Sequence, residues 1–408
     1  VGLYTAGVLL PDWKPARHWR ELGWQALNAA LQQQIDPDGT YVQHSTNYHR
    51  LMLHLALWAQ AIAQKESAAL PDASLQRLQA ATRWLLAQLD PLSGRVPNLG
   101  HNDGANILPL AAAGQTDFRP VAQAAARAFL GQACLPPGPW DELSLWLGLD
   151  VNSAPQTPPA EAFTSPGVHR LGDSRSWATL RAVHFYDRPA HADQLHVDLW
   201  WRGHNVALDA GSYHYTAAPP WDNALAHVAV HNTVQVDGHD PMRHAGRFLW
   251  LNWDQARLLP DPAETEIAAE HDGYRRLGGI HRRTLRQSNA AVWQVTDELL
   301  PTGSQPQEHT AILHWLLPDW PWQLHDATLT LQAPQGALEL RVDLGQPASL
   351  YWVQLIRAGQ VITGPPEPAP TLGWFSPTYA YKYPALSFRV AVQGSLPLTL
   401  YSHWTLPD

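Results

Sequence analysis

Residues 188–201 read "RPAHADQLHVDLWW". The second half alternates. Leu195, Val197, Leu199 and Trp201 fall on one side, and His196, Asp198 and Trp200 on the other, the period of a strand in a sheet with one buried face. The first half breaks this simplicity. His191 and Asp193 lie two apart, so on a strand they project to the same side at its mouth. They are either solvated strand-end residues or groups that hold something.

Outward from this stretch, the chain from about residue 166 to its end reads as strands. "SWATLRAVHF", "HNVALDAGSYHY", "HNTVQVDG", "HTAILHWLLP", "ALELRVDL", "ALSFRVAVQG" and "PLTLYSHW" are short, β-rich and separated by turn residues. Ten or more such strands without intervening helices imply a large antiparallel β-sandwich domain over 166–408. Before it, "VNSAPQTPPAEAFTS" (151–165) has the composition of a Pro-rich linker.

Residues 1–150 carry helical spacing instead. Segments 18–35, 47–64, 74–89, 106–114, 119–132 and 139–149 are expected helices, with Pro109 shortening or kinking the fourth. Two of the loops echo each other. Asp36 and Asp90 each open an Asp-Pro turn, and Asn47 and Asn102 each follow a turn glycine, Gly39 or Gly94, by eight residues. A repeated helix–loop–helix unit suits an α/α toroid, in which equivalent loops gather at one end of a central cavity. Coincidence between two turn-rich loops is the competing account. The fold class expected is therefore α+β multidomain, a partial (α/α) toroid followed by the sandwich.

Composition narrows the function. Lys+Arg 27 against Asp+Glu 36 gives a formal charge of −9, which argues against a nucleic-acid partner. An acidic substrate would need local arginines or neutral donors against that field. The 20 Trp are either core fillers or stacking platforms, for which sugar rings are a common target. The single cysteine, Cys134, excludes an internal disulfide and a cysteine zinc cluster. No apolar run reaches the roughly 18 residues of a membrane span. The first residues have no basic region and their apolar run stops at Pro11, so they do not read as a signal peptide, and the Val start suggests a processed or shortened chain.

Three strand ends in the β region carry clustered polar chemistry: "AHAD" with His191, "NVALDAG" with Asp209, and "AVHNTVQVDG" with His231. Two imidazoles and a carboxylate can meet around a divalent ion such as zinc. They can equally be strand-end hydrogen-bonding residues.

The run "HADQLHVDLWWRGHNVALDAGSYHY…PPWDN…AVHNTVQVDG" resembles the C-terminal domain of the heparinase II/III-like family, polysaccharide lyases and relatives with an N-terminal α/α toroid and a C-terminal β-sandwich. The resemblance covers essentially the whole chain, although the toroid is short, with three helical hairpins, as if an N-terminal portion were lacking. It implies a largely structural metal, usually zinc, on His191, Asp209 and His231. It implies that Asn47, in "HSTNYHR", neutralises a uronate carboxylate. Two other positions depart from the family: its catalytic Tyr falls near Leu99, and its catalytic His falls at Pro189. The family also implies a periplasmic or secreted location.

The implied reaction is β-elimination from a uronate-containing polysaccharide or oligosaccharide. The carboxylate must be neutralised, a base must take the C5 proton, and an acid must protonate the leaving oxygen. Replacement proton-transfer candidates are His49, His101, Tyr213 and Tyr215, each with a bland alternative as a packing, turn or strand residue. Candidate substrate contacts are Tyr48, Arg50, Asn98, Asn102, Arg188 and Trp221, and Arg202 is a further arginine able to bind a carboxylate. A second class of reading is a non-catalytic glycan-binding relative serving exopolysaccharide assembly or export. A glycoside hydrolase ranks last, because its two facing carboxylates have only Asp103 and Asp141 as candidates and no pattern pairs them. Oligomeric state is not legible.

Overall fold

The computed structural model describes residues 1–154, 165–260, 262–303, 308–345, 349–367 and 369–407. Of the expected linker, residues 155–164 lie outside the described residues. The chain divides into two compact units. One comprises 1–97 and 101–166, the other 98–100 and 167–408.

The first unit is built on α1 (Gly2–Leu9), α2 (Ala16–Gln34), α3 (Thr46–Lys65), α4 (Asp72–Gln88), α5 (Arg119–Ala125) and α6 (Glu142–Trp146). The apolar stripes read from the sequence become its core: Leu27, Leu31, Leu53, Leu57, Leu78, Leu85, Val121 and Phe129 are buried together. Ser45 caps α3 by accepting the Tyr48 amide at 3.1 Å. The helix expected at 106–114 does not form. Pro109 sits mid-segment without an amide hydrogen, and the Ala112 amide donates to the Glu142 carboxylate at 2.7 Å instead of to a helical carbonyl. The helix expected at 139–149 contracts to α6 behind a single 3-10 turn, and α1 was not anticipated.

The echoed loops share a glycine-to-aspartate bond at their start, closed over three residues in the first and four in the second. In each, the glycine amide donates to the aspartate carbonyl (Gly39 to Asp36 at 2.9 Å, Gly94 to Asp90 at 2.8 Å), and the glycine has positive φ, 93° and 73°. The loops also meet: Thr46 Oγ1 donates to the Pro97 carbonyl at 2.9 Å, and Ser45 Oγ donates to that of His101. The echo ends there, because α3 follows the first loop and no helix follows the second until α5.

In the second unit a four-stranded sheet carries Val168–Gly172, Ser176–Arg181, Val197–Trp201 and His204–Ala207 in that order. An eight-stranded sheet runs Trp322–His325, Thr328–Ala333, Gly336–Leu344, Leu398–Thr405, Val292–Pro301, Gly279–Asn289, Glu266–His271, Ala256–Leu258. A further sheet runs Gln360–Thr363, Ser349–Arg357, Tyr381–Ser395, Glu308–Pro318, Val234–Val236, with Trp374–Thr378 added on Tyr381–Ser395. The ladders within these sheets are antiparallel. One core joins residues of the sheets, with Trp201, Trp293, Trp315, Trp404 and Phe388 in its interior. Seven tryptophans rank among the largest fully buried side chains, so core filling accounts for many of them.

The opening stretch is corrected in two respects. Its strand begins at Val197, because Leu195 has φ +58° and turns the backbone out of the extended region. The strand is also buried on both faces, not one.

Burial in α3 has a titration consequence. His49 Nε2 bonds the Ala81 carbonyl at 2.8 Å and its ring stacks on Trp84 at 4.8 Å. Burial brings its pKa down to about 4 and, with Arg50 nearby, that of His54 to about 3. The folded chain thus binds fewer protons than the unfolded one below about pH 6.5. The stability in question is complete above that value and is lost as the pH falls toward 4. For His49 the loss is about 3 kcal/mol. Thermal melting at pH 7 and pH 4.5 should show a smaller acid shift for His49→Gln than for the parent; equal shifts would refute this.

Candidate functional site

Three loops bring a buried carboxylate among imidazoles in the second unit. His191 lies in the irregular segment before the strand at Val197, Asp209 follows the strand His204–Ala207, and His231 closes the 3-10 turn Val228–Val230. Asp209 Oδ2 stands 3.6 Å from His231 Nδ1, and the His191 and His231 rings are 5.4 Å apart. Asp209 Oδ1 accepts the Gly211 amide at 2.8 Å. Burial alone would raise the Asp209 carboxyl, but His231, with His196 and His191, holds it well below the ordinary carboxylate range. Asp209 and His231 of the expected set therefore meet, whereas His191 is placed beside them only by its ring, and the tightest group takes His196 in its stead.

His196 joins them, its Nε2 3.9 Å from Asp209, and its candidate ligand atom lies within 4.8 Å of those of Asp209 and His231. The sequence reading counted it only as an alternating strand residue. Its ring has a distinct part. Nδ1 accepts the Asn232 amide at 2.9 Å, so the proton of the neutral ring sits on Nε2, facing Asp198 at 3.3 Å and Asp209. His196 thus presents a hydrogen, not a lone pair, to the centre. Imidazoles gathered about one anionic oxygen are groups of the type that bind a divalent cation.

Residues unremarked in the sequence hold these loops. Asn232 Nδ2 donates to the carbonyls of Val197 and Leu208, and its Oδ1 accepts the Leu316 amide at 2.6 Å. His314 bonds the His231 carbonyl at 2.9 Å. The Arg283 guanidinium, fully buried, donates to the carbonyls of Leu195 and Asn232 and pairs with Asp297 at 2.7 and 3.0 Å. His281 Nε2 adds a 2.7 Å bond to Asp297. Asp193, beside the ligand segment, pairs with buried Arg181 at 2.8 Å.

A second polar site lies in the first unit at the start of α3. Asn47, buried, donates Nδ2 to Asp103 Oδ1 at 3.0 Å, and the Tyr48 hydroxyl donates to Asp103 Oδ2 at 3.0 Å. Arg50 fixes the amide by donating to Asn47 Oδ1 at 2.7 Å; its NH1 and NH2 also donate to the Gln115 and Ala105 carbonyls, and its charge lies over Phe118. Arg50 thereby holds the Asn47 amide in place. An amide and a phenol thus grip one carboxylate, and that carboxylate is on an exposed loop residue.

The remaining candidates divide. His49 is enclosed by Ala81 and Trp84, which gives it a packing role. His101 is buried in the loop that Ser45 anchors. Asn102 Oδ1 accepts the Gly104 amide at 3.0 Å in a local turn. Asn98 donates to the Ser376 carbonyl at 2.7 Å, against which Gly211 is pressed: a Cβ there would lie 2.1 Å from the same oxygen. Tyr213 has φ +58°, and its amide donates to Ser376 Oγ at 2.9 Å. The Tyr215 ring lies edge-on to Phe248, whose carbonyl accepts from Arg188 at 3.3 Å. The Trp221 ring faces Lys382 at 3.8 Å. Arg202 donates to Gln335 at 3.1 Å. Leu99 and Pro189 are buried. Asp141 is committed to Arg127 and Gln123, each at 3.0 Å, so it gives Asp103 no facing partner of the kind a hydrolase needs. Among the described residues, no helix is long and apolar enough to cross a membrane.

Comparison with known proteins agrees with this architecture. Residues 155–399 match the model of the family described as heparinase II/III-like, C-terminal, and residues 1–105 match that of the heparinase II/III N-terminus. The chain belongs to the heparinase II/III-like family. A heparin-sulfate lyase of Bacteroides thetaiotaomicron is 43% identical over 47 residues, which is 12% of this chain and 7% of that protein. A solved heparinase III is 17% identical with a TM-score of 0.74, over 99% of this chain and 60% of its own. A heparan sulfate lyase from Pedobacter heparinus is 17% identical with a TM-score of 0.68, over 99% and 59%. The chain spans about three-fifths of the length of these solved relatives, and at such identity the likeness carries the fold.

The Arg283–Asp297 pair predicts an asymmetry. Asp297→Asn strands a buried guanidinium and should cost about 3–5 kcal/mol, whereas replacing both residues with apolar ones of similar volume should cost less. Denaturant unfolding followed by tryptophan fluorescence checks the order; a double variant as unstable as the single one would contradict it.

Proposed function

We propose that the chain is the catalytic portion of a polysaccharide lyase that cleaves a uronate-containing glycan by β-elimination. The carrying observation is the grip of Asn47 and Tyr48 on the Asp103 carboxylate. The reaction requires such a grip on the sugar's own carboxylate. Two hydrogen bonds to the anion withdraw charge from the ring and make the C5 proton easier to remove. Asp103 stands where that carboxylate would bind, and the exposed loop carrying it must yield the position to substrate. Proton transfer is proposed for His101, two residues from Asp103 in the same unit. A polymeric anionic substrate goes with a location outside the cytoplasm. The named relatives make heparan-type glycans the first substrates to test.

His191, Asp209 and His231 are proposed to hold a divalent ion, zinc by donor type, with His196 fixing the carboxylate. Its contribution when bound is structural, cross-linking three loops. Elemental analysis of the purified protein should find a stoichiometric divalent metal that Asp209→Ala lacks, and chelation should lower the melting temperature of the parent only. Metal-free parent protein with unchanged stability would remove the site.

The alternative, a non-catalytic glycan binder, is favoured by buried Leu99 and Pro189 at the positions where the resemblance expects a Tyr and a His. A panel of glycosaminoglycans, alginate and bacterial exopolysaccharides, followed by the ultraviolet absorbance of the unsaturated uronate, decides between the readings. Turnover on one member is expected, and Asn47→Ala should reduce it by about 100-fold or more. Binding without absorbance across the panel would favour the alternative. Asp103→Ala, by removing the competing carboxylate, should lower KM severalfold; a raised KM would show that Asp103 supports substrate instead.

A further inference from the structure

Lys382 is set in an aromatic enclosure. Its Nζ lies 3.3 Å from the ring centroid of Trp374, 3.8 Å from that of Trp221 and 5.1 Å from that of Tyr213. The walls brace one another edge-on: Tyr213 and Trp221 are 5.1 Å apart at 78°, Trp221 and Trp374 6.1 Å apart at 79°. Lys382 and all three rings are partly exposed. Among the described residues no carboxylate pairs with Lys382. Crowding by the rings pushes its ammonium below the ordinary lysine value.

The enclosure is tied to the loop that leaves Asp209. Gly211 bridges Ser376 in parallel, the Ser376 amide donates to the Ala210 carbonyl at 2.8 Å, and the Ala380 amide donates to the Tyr213 carbonyl at 2.8 Å. Trp374 and Lys382 therefore stand on a hairpin pinned to the segment that supplies Tyr213.

Rings around a lysine can be a staple for the hairpin. Three features exceed a staple. Aromatic faces stabilise an ammonium but do not neutralise it, so the positive charge is left without a counter-ion among the described residues, in a chain of net charge −9. The crowded ammonium has lost part of its water and gains more from an incoming anion than an ordinary surface lysine does. The ring faces and edges beside it offer apolar surface on which a pyranose can lie.

We propose that Lys382, Trp221, Trp374 and Tyr213 form a subsite for one anionic sugar residue, with Lys382 reading its carboxylate or sulfate and the tryptophans holding the ring. This rests on the glycan-directed reading above and adds a determinant that the family resemblance did not supply.

The test is calorimetric binding of heparan sulfate oligosaccharide, its carboxyl-reduced form and alginate oligosaccharide to the full chain and to Lys382 variants. Lys382→Gln should bind its preferred anionic probe about tenfold more weakly, with a shallower salt dependence. Lys382→Arg should recover most of the affinity. Carboxyl reduction should erase the difference between parent and variant if the anion read is a carboxylate; a difference that persists assigns sulfate. Lys382→Met, which keeps the stem between the rings, controls for packing, and melting curves verify folding. Folded Lys382→Gln and Lys382→Met binding every probe as the parent does would overturn the subsite. Should that happen while Asn47→Ala still abolishes elimination, the lyase reading stands and the subsite alone falls. A parent that binds none of the probes would overturn both.

Discussion

The polar interior of the β unit depends on one buried ion pair. Arg283 and Asp297 face each other across the ladder between Gly279–Asn289 and Val292–Pro301, in register and shielded from water. A guanidinium taken this far from solvent is tolerable only when its donors are used. Here two go to Asp297, and NH1 reaches the carbonyls of Leu195 and Asn232. Those carbonyls lie next to His196 and His231. The pair therefore sets the separation of the loops that bear the histidine–aspartate centre, and it supports the left-handed turn at Leu195.

From that anchor the site is assembled largely by side-chain bonds to backbone. Asn232 uses both ends of its amide to join three segments, and His314 holds the neighbouring His231 carbonyl. Loops without ladder partners need this, since buried peptide groups must find hydrogen bonds. The helical unit follows the same logic at α3. Ser45 and Thr46 tie the helix start to the neighbouring loop, and Arg50 locks the Asn47 amide so that its NH2 faces a carboxylate. The groups that would hold charge are thus each fixed by hydrogen bonds within their own unit.

Much of this was legible beforehand. Helical spacing located α2, α3 and α4 because their apolar stripes recur at a period that no other structure satisfies. Alternation located the long strands such as Leu398–Thr405, buried on one side and part-exposed on the other. His191, Asp209 and His231 stood out as polar groups at strand ends, and the family resemblance joined them. Less legible were the helix expected at 106–114, where helix-forming composition was outweighed by Pro109 and a carboxylate on another segment, and the catalytic potential of His49. A histidine on α3 reads the same whether it faces a cavity or stacks on Trp84, since the decision belongs to α4.

The sequence carried what depends on near neighbours and on residue type: element periods, turn glycines, the charge balance, and the donors available for a metal or a carboxylate. Folding decided what depends on partners far along the chain. Asn47 meets a carboxylate 56 positions away, Arg283 reaches a carbonyl 88 positions away, and Trp221 brings its ring to Lys382 from another segment. Hydrogen bonds and ion pairs act over about 3 Å, and no local pattern encodes which distant group will arrive at that distance.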